Sequence, residues 1–281
     1  MIEDSRTYTP IANLTGITGA TVQAADQQRP YLRLASDWVL DTGANQESTL
    51  TLEGLWIGAG GAFAVIVRGD YERVVVSHST LDPGGTDAQG NPLRAVALVV
   101  EGNVEELLVE NSILSSILVR AGGLLETLKV RDSILHAPPG ALALPLPATY
   151  VELERVTVFG GLDVNRLYAT EALISGPADV TNTQDGCFRF SAAPPGSRVP
   201  HPYESHFLAD TGHFFTSRRF GDPGYAQLSQ SAPLALARGA ENGSEIGAFS
   251  SLLNPVKLDS LRAKIDEFAP FGLVPIYIFE T

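Results

Sequence analysis

The chain holds one cysteine, Cys187, and one methionine in 281 residues. A single thiol excludes an intrachain disulfide and points to assembly in a reducing compartment. A lone thiol of this kind reads as a small core residue rather than a nucleophile. Basic residues are scarce, with 19 Lys and Arg against 32 Asp and Glu, for a net charge of −13. That balance argues against nucleic acid and against an anionic membrane surface as partners. No apolar run is long enough to span a bilayer, and the N-terminus does not read as a signal peptide. Nucleophile elbows, phosphate loops and dinucleotide fingerprints are missing too. No catalytic residue, cofactor or metal is therefore assigned from a motif.

What the chain does have is repetition. The stretch Leu107-Leu-Val-Glu-Asn-Ser-Ile-Leu114 returns as Leu128-Lys-Val-Arg-Asp-Ser-Ile-Leu135. Related copies begin at Leu50, Val74, Val151 and Leu167. A period in the low twenties built on short strands is the mark of a solenoid whose rungs stack. With 44% hydrophobic residues, 27 glycines and 18 prolines, the composition suits a turn-dense fold with an ample core. The length allows one long domain or two smaller ones.

Each copy has its own internal logic. The first and third positions are apolar with a polar residue between, the pattern of a half-buried strand. The fifth holds Gly54, His78, Asn111, Asp132, Arg155 and Glu171. Four of these are types that tolerate a left-handed backbone, which turns the chain sharply within one residue. The sixth position is mostly small, and the eighth is Ile, Leu or Val throughout. Stacked rungs would then carry an internal serine ladder from Ser79, Ser112 and Ser133. A further strand precedes most copies, as at Val65–Arg68 and Ile117–Arg120. The expected fold is all-β, a right-handed parallel β-helix with three short strands per rung over residues 1–195. A C-terminal loop, helix and strand cap is expected over 196–281.

The N-terminal segment, with strands at Ile17–Val22 and Tyr31–Leu34, starts in mid-architecture without a capping helix. Either Met1 opens a fragment, or a partner or preceding domain covers that end. Two loops are expected, at 82–94 and 136–150. The repeat is read as ending at Pro194-Pro-Gly196. A helix near 255–269 has Asn254 as N-cap and Pro255 at its first position. Leu258, Leu261, Ile265 and Phe268 share one stripe on it. Leu273–Phe279 reads as a final strand. This tail should cover the C-terminal end of the solenoid and pack back along the rungs.

Candidate chemistry is sparse. Glu110 with Glu154, or Asp132 with Glu171, could pair carboxylates for glycoside hydrolysis, though a solvated face of mixed charge is the blander reading. His201, His206 and His213, with Glu204 and Asp210, are spaced in no pattern that supports a metal site. Arg218, Asp222 and Tyr225, in a turn-rich stretch, are the candidate binding residues for a carboxylate or sugar; the favoured reading is that they tie down a capping loop. Exposed aromatics among Phe207, Phe214, Phe215 and Phe220 would mark the tail as a docking surface.

Several phrases carry a resemblance. They are Leu153-Glu-Arg-Val-Thr-Val-Phe-Gly160, Gly186-Cys-Phe-Arg-Phe-Ser191, Pro194-Pro-Gly-Ser197, Arg219-Phe-Gly-Asp-Pro-Gly-Tyr-Ala-Gln-Leu228 and Gly239-Ala-Glu-Asn-Gly-Ser-Glu-Ile-Gly-Ala-Phe249. Together they resemble a family of little-characterised bacterial right-handed β-helix proteins of the pectin-lyase-like type, found with phage-tail-like contractile injection systems. The resemblance implies a non-enzymatic spike, fibre or baseplate-associated module with protein partners in the particle, able to form homo-oligomers and to bind glycan. It also implies synthesis in the bacterial cytoplasm and release within an extracellular particle. It supplies no catalytic residues. The alternative is a polysaccharide lyase or glycoside hydrolase working in a groove beside the two loops.

Overall fold

A computed structural model describes residues 1–86, 92–209, 213–270 and 272–274. The architecture is mostly β, with parallel strands stacked rung on rung as in a solenoid of the β-helix kind, and a helix lies near the C-terminus. The register follows the sequence repeat. Leu50 pairs with Val74, Val74 with Leu107, Leu107 with Leu128, Leu128 with Val151, and Val151 with Leu167. Like therefore lies over like, and the apolar first and third positions of every rung are buried in one continuous core. A second parallel sheet joins Leu14–Thr15, Trp38–Asp41, Val65–Arg68, Leu98–Val100 and Ile117–Val119.

The corner residues lie where the repeat puts them. Gly54, His78, Asn111, Asp132, Arg155 and Glu171 all have positive φ, between 45° and 69°. For a non-glycine residue this conformation costs roughly 1–2 kcal/mol. The strain is offset because the corner amides still bond to the next rung: Asn111 N–H donates to the Arg131 carbonyl at 3.1 Å, and His78 N–H to that of Glu110 at 3.1 Å. Asn111 thus sits directly beside Asp132 on the neighbouring rung. The serine ladder is also present. Ser112 Oγ accepts the Ser79 N–H at 3.0 Å and donates to the Glu110 carbonyl at 2.7 Å, and Ser133 Oγ accepts the Ser112 N–H at 3.0 Å.

The stack differs from expectation in where it stops. Rather than ending near residue 195, it continues to Phe207. Pro202–Tyr203 pairs with Phe188 and Arg189, and His206–Phe207 with Ala192 and Ala193. Phe190 and Glu204 are the corners here, at φ 49° and 46°, and neither residue type signals a left-handed backbone. Ser191 and Ser205 continue the ladder, Ser205 Oγ accepting the Ser191 N–H at 3.1 Å. The loop expected over 136–150 is also shorter. The strand Leu142–Phe159 starts inside it and accommodates Pro145 and Pro147 through a register shift between Leu146 and Tyr150. In the 82–94 insertion, Gly85–Thr86 and Pro92–Leu93 form an antiparallel pair.

The tail packs along the side of the rungs. Phe214, Phe215, Tyr225, Leu236 and Ile246 form a second core with Ile134, Phe159, Leu173 and Ala192. Ile134, Leu173 and Ala192 point outward just after the corner, with Phe159 two residues further along its strand, so an apolar outer face has drawn the tail onto it. The helix runs Asn254–Phe268, close to the expected range. Its N-cap is Leu253 in a left-handed conformation, and Asn254 instead donates its amide to Glu245 Oε1 at 2.8 Å. No helix side chain is buried, and Phe268 is 80% exposed. The helix therefore does not cap the solenoid among the described residues. An Arg238–Asp259 ion pair ties it to the preceding segment. Of the expected last strand, Leu273 and Val274 are exposed and outside any strand, and residues 275–279 lie outside the described residues.

Candidate functional site

Arg218, Asp222 and Tyr225 lie in one loop, whose arms are joined by bridges between Phe215 and Leu228 and between Ser217 and Tyr225. Asp222 turns inward: it accepts from Ser217 Oγ at 2.7 Å and faces Arg219 at 3.8 Å. Tyr225 is buried, with its hydroxyl 2.8 Å from His136 Nδ1 and its ring stacked on the imidazole at 5.7 Å. The Arg218 guanidinium lies 4.9 Å over the Phe159 ring and donates to Ser175 Oγ at 3.1 Å. Burial, reinforced by the Arg218 charge, pushes the His136 pKa down to about 4, so the ring is neutral near pH 7. Arg218 and Tyr225 therefore converge on the His136–Phe159 pair, while Asp222 shapes the turn that presents them. The geometry ties this loop to the rungs.

The outward face of the long strands carries the charge. Lys129, Arg131, Glu152, Glu154, Tyr168 and Arg189 line a shallow groove there. Signs alternate from rung to rung, since like residues would otherwise sit only about 4.8 Å apart. Glu106 lies between Arg73 at 2.8 Å and Lys129 at 2.6 Å. The hydrogen bond from Lys129 holds the Glu106 carboxyl below the usual carboxylate range. Arg131 lies between Glu110 at 3.4 Å and Glu154 at 3.3 Å. The Glu110–Glu154 pair is thus separated by an arginine that contacts both. Asp132 and Glu171 are likewise separated, by the rung of Arg155. Asp132 is bound to Arg155, while Glu171 is buried and accepts from Glu241 N–H at 3.1 Å and Ser250 Oγ at 2.7 Å. Neither pair offers two unengaged carboxylates for acid–base chemistry.

His201 and His213 are exposed, and Asp210 lies outside the described residues. Among the described residues no three His, Cys, Asp or Glu side chains gather to hold a metal, and no helix is long and apolar enough to cross a membrane. Phe214 and Phe215 are buried between the tail and the rungs, whereas Phe207 is 40% exposed. Cys187, expected in the core, is instead only half-buried and lines the outward groove, and its partial burial raises the thiol pKa.

One surface goes unread in the repeat pattern. Tyr31 and Trp56 are cross-rung partners on the outer side after the corner, and Asp82 follows on the next rung. The signal that could have found them is the seventh position of each copy, which points outward: Trp56, Thr80, Ile113, Ile134, Thr157 and Leu173. Its apolar members mark the face the tail covers, and Trp56 is the member left exposed. No protein-family model, curated protein or solved structure matches this chain.

Proposed function

We propose that this chain is a non-catalytic structural or binding module: a right-handed parallel β-helix with three strands per rung, serving as a spike, fibre or baseplate-associated part of a phage-tail-like contractile injection particle. The observation that carries the mechanical half is the unbroken column of left-handed corners from Gly54 to Glu204. Each corner fixes the pitch of one rung, and each rung is hydrogen-bonded to the next, so load passes along a stiff, nearest-neighbour stack. The side face suits adhesion, because its charges are neutralised within the molecule and its groove is open. The particle itself is inferred from the resemblance of the tail motifs, and its sheath and baseplate proteins are the proposed partners.

A second reading, a polysaccharide lyase or glycoside hydrolase, is expected beside the 82–94 and 136–150 loops. The hollow there, lined by Ala97, Leu118, Pro138 and Pro145, holds no charged group among the described residues. The reading draws instead on the groove lined by Arg131, Glu152 and Arg189. The test combines the mass in solution with a pull-down against tail-sheath and baseplate proteins and with incubation on polygalacturonate and capsule polysaccharides. Capture of a baseplate or sheath protein with intact polysaccharides is the expected result. Chain cleavage of any polysaccharide would overturn the non-catalytic reading.

A further inference from the structure

The two tryptophans of this chain have opposite surroundings. Trp38 is buried at 2% exposure and its indole N–H donates to the Ala12 carbonyl at 3.1 Å. Trp56 is 44% exposed, and its indole N–H has no hydrogen-bond partner among the described residues. The neighbouring rings of Tyr31 at 5.3 Å and Phe220 at 6.4 Å meet it steeply, at 69° and 82°, so neither stacks flat on it. Leaving so large an indole in water forfeits apolar burial worth about 1 kcal/mol or more.

Polar groups of both signs lie on the adjoining rungs, level with Gly58. Gly58 occupies the next outward position after Trp56, and the Tyr31 ring lies across it: a Cβ there would come within 2.2 Å of the Tyr31 hydroxyl. The following rung places Asp82 alongside, its N–H donating to the Ile57 carbonyl at 2.8 Å. Asp82 is only 4% exposed, yet among the described residues its carboxylate accepts one bond, from Gly84 N–H at 3.1 Å. Burial raises its pKa. Arg33, cross-rung partner of Gly58, is exposed and makes no ion pair or hydrogen bond among the described residues.

We propose that Trp56, Tyr31, Asp82 and Arg33 form a binding site for a pyranose ring of a carbohydrate chain. A pyranose has an apolar C–H face that covers an indole, and a rim of hydroxyls that both donate and accept. Asp82 and the Tyr31 hydroxyl accept from that rim, and Arg33 donates to it. A purely apolar partner would use Trp56 and gain nothing from Asp82 or Arg33. This inference rests on the chain being a binding module and assigns the site its ligand class.

The test uses the full chain, titrated with cellohexaose, maltohexaose, chitohexaose and hexagalacturonate while tryptophan emission is followed. A saturable blue shift with at least one sugar is expected, the uronate arm separating acidic from neutral ligands. By calorimetry, affinity for that sugar should fall about tenfold or more in Trp56→Ala and Asp82→Asn, and less in Trp56→Phe. Arg33→Ala, at an exposed position, guards against a folding defect and should also weaken binding. No saturable shift with any of the four sugars, or unchanged affinity in Trp56→Ala and Arg33→Ala, would overturn the site. Chromatography of the sugars afterwards keeps the two proposals apart: cleavage contradicts the non-catalytic reading, and absent binding contradicts this site.

Discussion

Arg155 and Asp132, corner residues of successive rungs, share a two-pronged ion pair, with Nε–Oδ1 at 2.7 Å and Nη2–Oδ2 at 2.8 Å. Both residues are left-handed, so the contact ties together two strained positions. Arg155→Gly should lose the pair but relieve the corner, leaving stability within about 1 kcal/mol of the parent. Arg155→Ala loses the pair and keeps the strain the parent already carries, so it should destabilise by about 1 kcal/mol and fall about 1–2 kcal/mol below the Gly variant. Urea denaturation of the two variants checks the order. If Ala proves as stable as Gly, the corner is not strained.

The serine ladder predicts a position-specific penalty. Ser112→Ala removes the acceptor of the buried Ser79 N–H. Leaving that donor unpaired should cost about 1–3 kcal/mol. Amide exchange at Ser79 should quicken in the variant, as chemical denaturation and exchange together would show.

His136 predicts an acid-dependent loss of stability. Its folded pKa, about 4, lies below the unfolded value of 6.5. The unfolded chain therefore takes up a proton first, and stability falls as pH drops from about 6.5 toward 4, by up to about 3 kcal/mol. Asp82 and Glu245, whose pKa values are raised by burial, act in the opposite sense. His136→Gln, compared with the parent across this range by thermal melts, isolates the histidine contribution and should flatten the difference. Parallel pH curves for the two proteins would contradict it.

Glu171 predicts how the tail is held. Its carboxylate accepts from Glu241 N–H and Ser250 Oγ, and its own carbonyl accepts from Gly247 N–H at 2.9 Å. Glu171→Ala should cost about 2–3 kcal/mol and open residues 240–250 to limited proteolysis, while Glu171→Gln, which keeps an acceptor, should stay closer to the parent. Equal protease resistance in Ala and parent would show that the tail is held elsewhere.

The corners at Asn111 and Asp132 were legible because short polar side chains tolerate the left-handed region, and stacking then fixes the rest of the rung. Those at Phe190 and Glu204 were not, since neither side chain favours that backbone; the serine after each was the available clue. The side-on packing of the tail was written in Ile113, Ile134 and Leu173, outward residues too apolar for a solvated strand. The helix illustrates the converse. Its stripe of Leu258, Leu261, Ile265 and Phe268 is correct as periodicity, but periodicity says nothing about whether a partner surface is within reach. Arg218 and Tyr225 do meet at one place, the His136–Phe159 pair, which only the fold could bring to them.

The stacked column can be measured with the single native thiol. Thr51, Val75, Leu108, Lys129, Glu152, Tyr168 and Cys187 are successive cross-rung partners. With rungs about 4.8 Å apart, Thr51→Cys and Cys187 stand about 29 Å apart. Pulsed electron–electron double resonance on spin labels at these two sites should give one narrow distance near that value. A broad distribution, or a peak displaced from it by more than the reach of the labels, would contradict the account.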